Sequence, residues 1–263
     1  HDIELIREMY HILVVPCADF MAAFRDDATK LPRSSWNLWE DRRGVHTFTC
    51  ATVVAGLRAG VSMARLFADD EKAGDYEKAA DEIVIGMAEH LYNPTLGRFN
   101  RSLQANGDDS LTPDPTVDAS LFGVFYFDCF DVNDEMVAGT MKAIDDILCN
   151  KTAFGGIARF ENDGYMRVSD SVTGNSWFIC TLWMADYHIA KATKVDELAP
   201  ALDILKWTAE RALPSGVLAE QVNPLTGEEL SVSPLTWSHS TFVATLQTYL
   251  KKLSELEAAP VME

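Results

Sequence analysis

The sequence predicts an all-α protein, an incomplete (α/α)6 toroid of about eight helices arranged as four hairpins, and three observations point there. Apolar residues recur at helical spacing almost throughout, and strand-like alternation is scarce. The connections alternate in length: segments 26–44, 93–116, 150–175 and 213–234 are each about twenty residues, whereas 69–71, 129–133 and 193–195 are short. Antiparallel helix hairpins send alternate connections to opposite rims, so the long segments are expected together on one rim. A turn signature also recurs in two of them, Asn93-Pro94-Thr95-Leu96-Gly97 and Asn223-Pro224-Leu225-Thr226-Gly227, each with glycine where a positive φ is needed.

In chain order the helices are expected at 2–25, 45–68, 72–91, 117–128, 134–149, 176–192, 196–212 and 235–253. Asp134 with Glu135 behind it opens the fifth, Pro214-Ser215-Gly216 ends the seventh, and Ser233-Pro234 precedes the last. The inner helices of a toroid are packed on all sides. The uniformly apolar runs FTCATVVAGL, VDASLFGVFYF, SWFICTLWMA and LTWSHSTFVATL, each following a long connection, fit that role. A closed ring has about twelve helices, so residues 1–263 read as one toroid domain lacking its first helices. The apolar surface of an open ring predicts a homo-oligomer or docking of an N-terminal half of the same protein.

Composition narrows the function classes. Of 263 residues 48% are apolar and 24% charged, with 40 acidic against 22 basic side chains and a net charge of -18. That field repels phosphate and anionic lipid, so nucleic acid and membrane are not expected partners, whereas a neutral sugar is indifferent to it. There is no run of eighteen apolar residues, which argues against a membrane helix, and HDIELIREMYHILVVPC reads as a helix rather than a signal peptide. The five cysteines, an odd number in apolar helical contexts, are expected as buried free thiols in a reducing, cytoplasmic setting. Neither His-x-x-x-His nor Cys-x-x-Cys occurs, so no metal or other cofactor is expected.

Two long segments carry candidate chemistry. In the first, Glu40 and Asp41 lie between Trp36, Trp39 and the arginines Arg42 and Arg43, just before an inner helix. Indole faces stack on sugar C–H surfaces while carboxylates manage hydroxyls and protons. A glutamate held against indole is also kept protonated, as a general acid requires. In the last segment Glu220 precedes Trp237, and two carboxylates on one rim suit glycosidic hydrolysis, one protonating the leaving oxygen and the other activating water. Their carboxyls are then expected about 6.5–9.5 Å apart. In the third segment Arg159 is a candidate to fork onto sugar hydroxyls and Trp177 to wall the pocket. His46, His188 and His239 are expected on inner helices as satisfied polar groups.

These segments resemble glycoside hydrolase family 15, which holds glucoamylases, glucodextranases and some trehalases. Asn37-Leu38-Trp39-Glu40-Asp41 followed by Gly44-Val45-His46-Thr47-Phe48-Thr49 is similar to its acid-bearing signature, usually Asp-Leu-Trp-Glu-Glu. Ala219-Glu220-Gln221-Val222, with the Leu230–His239 stretch after it, resembles the base loop. Gly155–Arg159 and Asn175–Leu182 resemble two further blocks. The resemblance implies Glu40 as catalytic acid and Glu220 as base, with Trp36, Asn37, Trp39, Asp41, Arg159 and Trp177 contacting the sugar or supporting the acid. It also implies inverting hydrolysis of α-glucosidic bonds in α-glucan, maltooligosaccharide or trehalose, with release of β-glucose. The competing reading is a non-catalytic scaffold or regulatory toroid related to the same family. Asn37 and Asp41 depart from the usual pattern, and an upstream arginine–aspartate loop of the family has no match here.

Overall fold

The protein is described from a computed structural model that covers residues 2–106 and 110–258. Its chain forms two compact units, His1–Pro115 with Gly123–Asp131, and Thr116–Phe122 with Val132–Glu263.

In the first unit, α1 (Ile3–Met9) runs through a π-helical turn at Tyr10–Val14 into α2 (Val15–Ala23). One continuous helix was expected; Pro16 lacks the N–H that would bond four residues back, and the wide turn lies just ahead of it. Next come α3 (Thr47–Leu66) and α4 (Asp70–Gly86), packed as an antiparallel hairpin, with Asp69 capping α4 by accepting from the Lys72 N–H. The hairpin buries Cys50, Val54, Leu57, Tyr76 and Ile83 completely, each large apolar side chain contributing about 1.5–3 kcal/mol. By length and composition alone α3 could cross a membrane, contrary to the sequence expectation, yet it buries Ala51, Leu57 and Ala64 in this packed unit. The Tyr76 hydroxyl donates to Asp19, which also pairs with Lys72 at 2.7 Å, tying α2 to α4. The short helix α5 (Gly123–Tyr126) lies against α3, where Gly123 leaves room for the Phe48 ring.

Three of the long segments, 26–44, 93–116 and 213–234, contain short antiparallel strands, and 150–175 is tied down by isolated bridges at Ile157, Ala158 and Phe160. The first unit holds β1 (Ser35–Trp36), β2 (Arg43–His46), β3 (Tyr92–Asn93), β4 (Arg98–Phe99), β5 (Ser102–Ala105) and β6 (Leu111–Asp114). β1, β2, β5 and β6 form one sheet in that order, with Ser35 opposite Gly44, His46 opposite Ser102 and Leu103 opposite Pro113. Strands of two to four residues are too short to show a period-two pattern, which explains why the sequence hid them.

The second unit begins with a 3-10 turn at Ala119–Phe122 and continues through α6 (Glu135–Leu148), β7 (Ser176–Trp177), α7 (Phe178–Lys191) and α8 (Ala199–Glu210). It ends with β8 (Gln221–Val222), β9 (Glu229–Leu230) and α9 (Thr236–Ala258). The expected helix over 117–128 is therefore broken: the Asp118 side chain caps Ser120 in the 3-10 turn, and the chain changes units at Gly123. α7 is buried almost along its length, as an inner helix should be, with Leu182, Ala185 and Ile189 packed among Leu205 of α8 and Tyr249 of α9. A second cluster joins Phe178 to Leu218, Ala219 and Val222, and so fixes the segment around Glu220 to the start of α7.

Candidate functional site

Glu40 stands at the tip of the β1–β2 hairpin. Asn37 builds that turn: its backbone N–H donates to the Arg42 carbonyl at 3.0 Å, its carbonyl accepts from the Glu40 N–H, and its side-chain oxygen accepts from the Asp41 N–H. The turn places Glu40 at φ 57°, a left-handed conformation that costs a non-glycine residue on the order of 1–3 kcal/mol. Such strain clusters where the direction of a side chain matters. The Asn37 amide also donates to Asp41 at 2.7 Å, and Asp41 is held by Arg42. Arg42 in turn reaches Asp114, whose Oδ2 accepts from both Nε and Nη2 of the buried Arg101. This chain of alternating charges fastens the turn to the β5–β6 hairpin.

Asn37 is buried, whereas Glu40, Asp41 and Trp36 are exposed and Trp39 is half-buried. Glu40 is thus not enclosed by indole within its own unit, as the sequence suggested, because a two-residue strand and a tight turn hold it out into solvent.

Glu220 lies in the second unit, at the entrance to β8 and half-buried. Its backbone is pinned from both sides: the N–H donates to the Val232 carbonyl at 2.9 Å, and its carbonyl accepts from Phe178. The hydroxyl of Ser231 and the Gln221 amide both donate to Oε2. Ser231 is itself left-handed, with φ 67°. Gln221 is fully buried and its amide oxygen accepts from Asn175 at 2.7 Å. Ser238, in the first turn of α9, donates to the Ala219 carbonyl, which brings Trp237 close to the same segment.

Arg159 and Trp177 lie together in this unit. The guanidinium donates through Nε and Nη2 to the two oxygens of Asp163, each at 2.8 Å, so the fork expected for sugar hydroxyls is turned onto a buried carboxylate. It stacks between the rings of Phe160, Tyr165 and Trp177, with Trp177 4.9 Å away. Trp177 is buried and pairs with Gln221 across β7 and β8, which joins the arginine cage to the Glu220 network. Gln221, Ser231 and Asn175 lie inside the quoted blocks and Asp163 between two of them, yet none was given a role from sequence.

The histidines and cysteines need correction. His46 ends β2 and is not on an inner helix; it is buried, and neither ring nitrogen has a hydrogen-bond partner among the described residues. Burial, with Arg101 and Arg42 nearby, holds it below the usual histidine range. His239 on α9 is satisfied, accepting from the Leu218 N–H. Of the five free cysteines, Cys50, Cys129 and Cys180 are buried, but Cys17 is exposed and Cys149 intermediate. A cleft of about 370 Å³ between α2 and α4 is lined by Asp19, Arg25, Tyr76 and Glu82 and holds none of the expected site residues.

Comparison with known proteins agrees with these blocks. An uncharacterized glycosyl hydrolase of Methanocaldococcus jannaschii is 28% identical over 218 residues, covering 79% of this chain and 33% of that protein. A trehalase of Mycobacterium tuberculosis is 24% identical, covering 86% of this chain and 31% of that protein. The chain therefore spans about a third of the length of these curated relatives. A bacterial glucoamylase solved with acarbose shares the fold, with a TM-score of 0.76 at 24% identity over 95% of this chain and 40% of its own. The sequence pattern of glycosyl hydrolases family 15 matches residues 28–247, which include both candidate glutamates and every residue quoted beside them, and the chain belongs to that family.

Proposed function

We propose that residues 1–263 are part of the catalytic (α/α)6 toroid domain of an inverting α-glucoside hydrolase, with Glu40 as general acid and Glu220 as general base. The observation that carries this reading is the pair of hydrogen bonds to one oxygen of Glu220. Ser231 and Gln221 both donate to Oε2, which satisfies that oxygen and fixes the direction of the carboxyl group, as a positioned base requires. Oε2 is therefore anchored, and Oε1 is the atom that takes the proton from an attacking water. Glu40, aimed by its left-handed turn, supplies a proton to the departing glycosidic oxygen. Attack by water opposite the leaving group inverts the anomeric centre, so an α-glucoside releases β-glucose.

Trp36 and Trp39 offer aromatic faces to the sugar, the buried Trp177 backs the site wall beneath Arg159, and Asn37, Asp41 and Arg159 offer polar contacts or hold the groups that do. The substrate class is an α-linked glucoside: maltooligosaccharide, α-glucan or trehalose. The free thiols support a reducing, cytoplasmic setting. The apolar residues exposed on the first helices, Ile12 and Phe20 among them, support docking of another part of the enzyme or of a second copy.

The test is hydrolysis of maltose, trehalose and soluble starch by the protein in its natural full length, with the first-formed anomer followed by proton NMR. Release of β-glucose that Glu40→Gln and Glu220→Gln each abolish is the expected result. Release of α-glucose as the first-formed product from soluble starch, or full activity in either variant, overturns the assignment, whereas trehalose yields one α-glucose as its leaving sugar in either case. No hydrolysis of any α-glucoside favours the scaffold reading.

A further inference from the structure

Within the β1–β2 hairpin lies a histidine that no part of the proposed reaction uses. His46 is 2% exposed, and both ring nitrogens lack hydrogen-bond partners among the described residues. A buried polar group left unpaired costs about 1–3 kcal/mol, so an imidazole in this position calls for a physical reason. Its neighbours supply one. A side chain added at Gly44 would meet the His46 Cε1 at 3.3 Å and the Gln104 amide nitrogen at 3.1 Å, so the ring folds back over Gly44 toward the turn. The backbone of Ser35, in β1, and of Arg42, at the end of the turn, lies beside the ring, short of hydrogen-bonding geometry. These are the two legs of the hairpin that carries Glu40, since Ser35 pairs with Gly44 and the Asn37 N–H closes onto the Arg42 carbonyl.

We propose that His46 is a positioning residue for Glu40: its imidazole is wedged between the two legs of the hairpin and sets their separation, and through it the direction of the acid at the tip. This rests on Glu40 being the acid. The backbone on either side favours a proton on the ring, whereas burial, the largest effect, and the guanidinium groups of Arg101 and Arg42 oppose its charge, so the ring is held neutral as a packed wedge. Gly44 is part of the same device, because any side chain there would displace the ring or press on the Leu103 carbonyl, 3.0 Å from the added carbon. His46 touches no reacting atom. It acts through the turn.

The experiment separates acid positioning from folding by the leaving group. An unactivated glucoside such as maltose or trehalose needs its departing oxygen protonated, whereas α-glucosyl fluoride releases fluoride with little help from an acid. In the full-length enzyme, His46→Leu and His46→Gln are expected to lose about tenfold or more in kcat on the glucoside, with KM little changed, and to keep most of their rate on the fluoride. Gly44→Ala is expected to show the same selective loss, with folding of each variant confirmed by circular dichroism. Equal loss on both substrates, or loss on neither, overturns the proposal. Glu40→Gln distinguishes the two levels. If it fails to lose the glucoside selectively, the acid assignment falls; if it does so and the His46 and Gly44 variants do not, only the wedge falls.

Discussion

The side-chain amide of Asn175 donates to the side-chain oxygen of Gln221 at 2.7 Å, and that bond decides which end of Gln221 faces Glu220. Asn175 has no freedom to turn over. Its oxygen accepts from the Val168 N–H at 3.1 Å and its nitrogen also donates to the Met166 carbonyl at 2.8 Å, so two backbone groups fix the amide. Gln221 must then point its nitrogen at Glu220 Oε2, 3.1 Å away. A backbone orientation is relayed through two buried amides to the candidate base.

Asn175→Asp reverses the relay. A carboxylate there would confront the Met166 carbonyl and the Gln221 oxygen with no donor, and Gln221 would turn its own oxygen toward Glu220. The expected outcome is a loss of about 3 kcal/mol in denaturant stability and at least about tenfold in kcat. Asn175→Ala, which removes the anchor without adding charge, should cost less in both. Urea titration beside steady-state kinetics checks the order.

Arg159 and Asp163 are expected to behave as one unit. Their side chains are 11% and 2% exposed, and Asp163 Oδ1 also accepts from the Tyr165 N–H at 3.0 Å. Asp163→Ala leaves a buried guanidinium without its counter-charge, and a loss of about 3–5 kcal/mol follows. Arg159→Lys keeps the charge but cannot fork or lie flat between Phe160 and Trp177, so it should recover only part of that stability. A lysine variant as stable as the parent by thermal melting would show that the charge alone matters.

The helices and turns were legible because their signals are local. Asp134 accepts from the Met136 N–H as a cap should, and α7 fills the run that read as an inner helix. Both Asn-Pro turns are present: Asn93 and Asn223 each accept from backbone N–H groups two residues on, and Gly97 and Gly227 take φ of 63° and 79°. What they close was not legible. Each turn joins a hairpin of two-residue strands, β3 to β4 and β8 to β9, held by pairing rather than by pattern. The glutamates were found because aromatic and acidic neighbours flank them in sequence. Their supports were missed for the opposite reason: Asn175 lies 46 residues from Gln221, and nothing near His46 announces that Ser35 and Arg42 will lie beside it.

Gly227 gives a test of the second turn. A methyl group there would fall 2.5 Å from the Phe154 ring, in addition to the cost of a left-handed alanine. Phe154 cannot retreat freely, because its carbonyl accepts from the Trp207 indole at 2.6 Å and from Arg211. Gly227→Ala is expected to lose about 2–4 kcal/mol. Gly97→Ala, whose added carbon meets nothing within 4 Å, should lose only the backbone part, about 1–2 kcal/mol. Equal losses in paired melts would mean that the Phe154 contact relaxes.

Asp186 predicts the pH dependence of stability. It lies on α7, 7% exposed, and burial raises its carboxyl from 3.8 to about 7. The folded state therefore holds this proton more tightly than the unfolded chain does. Its contribution is most favourable below about pH 4, where both states are protonated, and is lost as pH rises through the window from about 4 to 7. The gap corresponds to about 4 kcal/mol, all of it expressed once the buried carboxylate ionises above pH 7. Asp186→Asn removes the titration while keeping the shape, so it should stabilise the protein by an amount that is near zero at pH 4, grows through that window and levels off by about pH 8. Guanidinium unfolding of both proteins at pH 4, 6 and 8 measures the difference directly. A difference that stays constant across the three, or shrinks as pH rises, would show that Asp186 is ionised at little cost in the folded state.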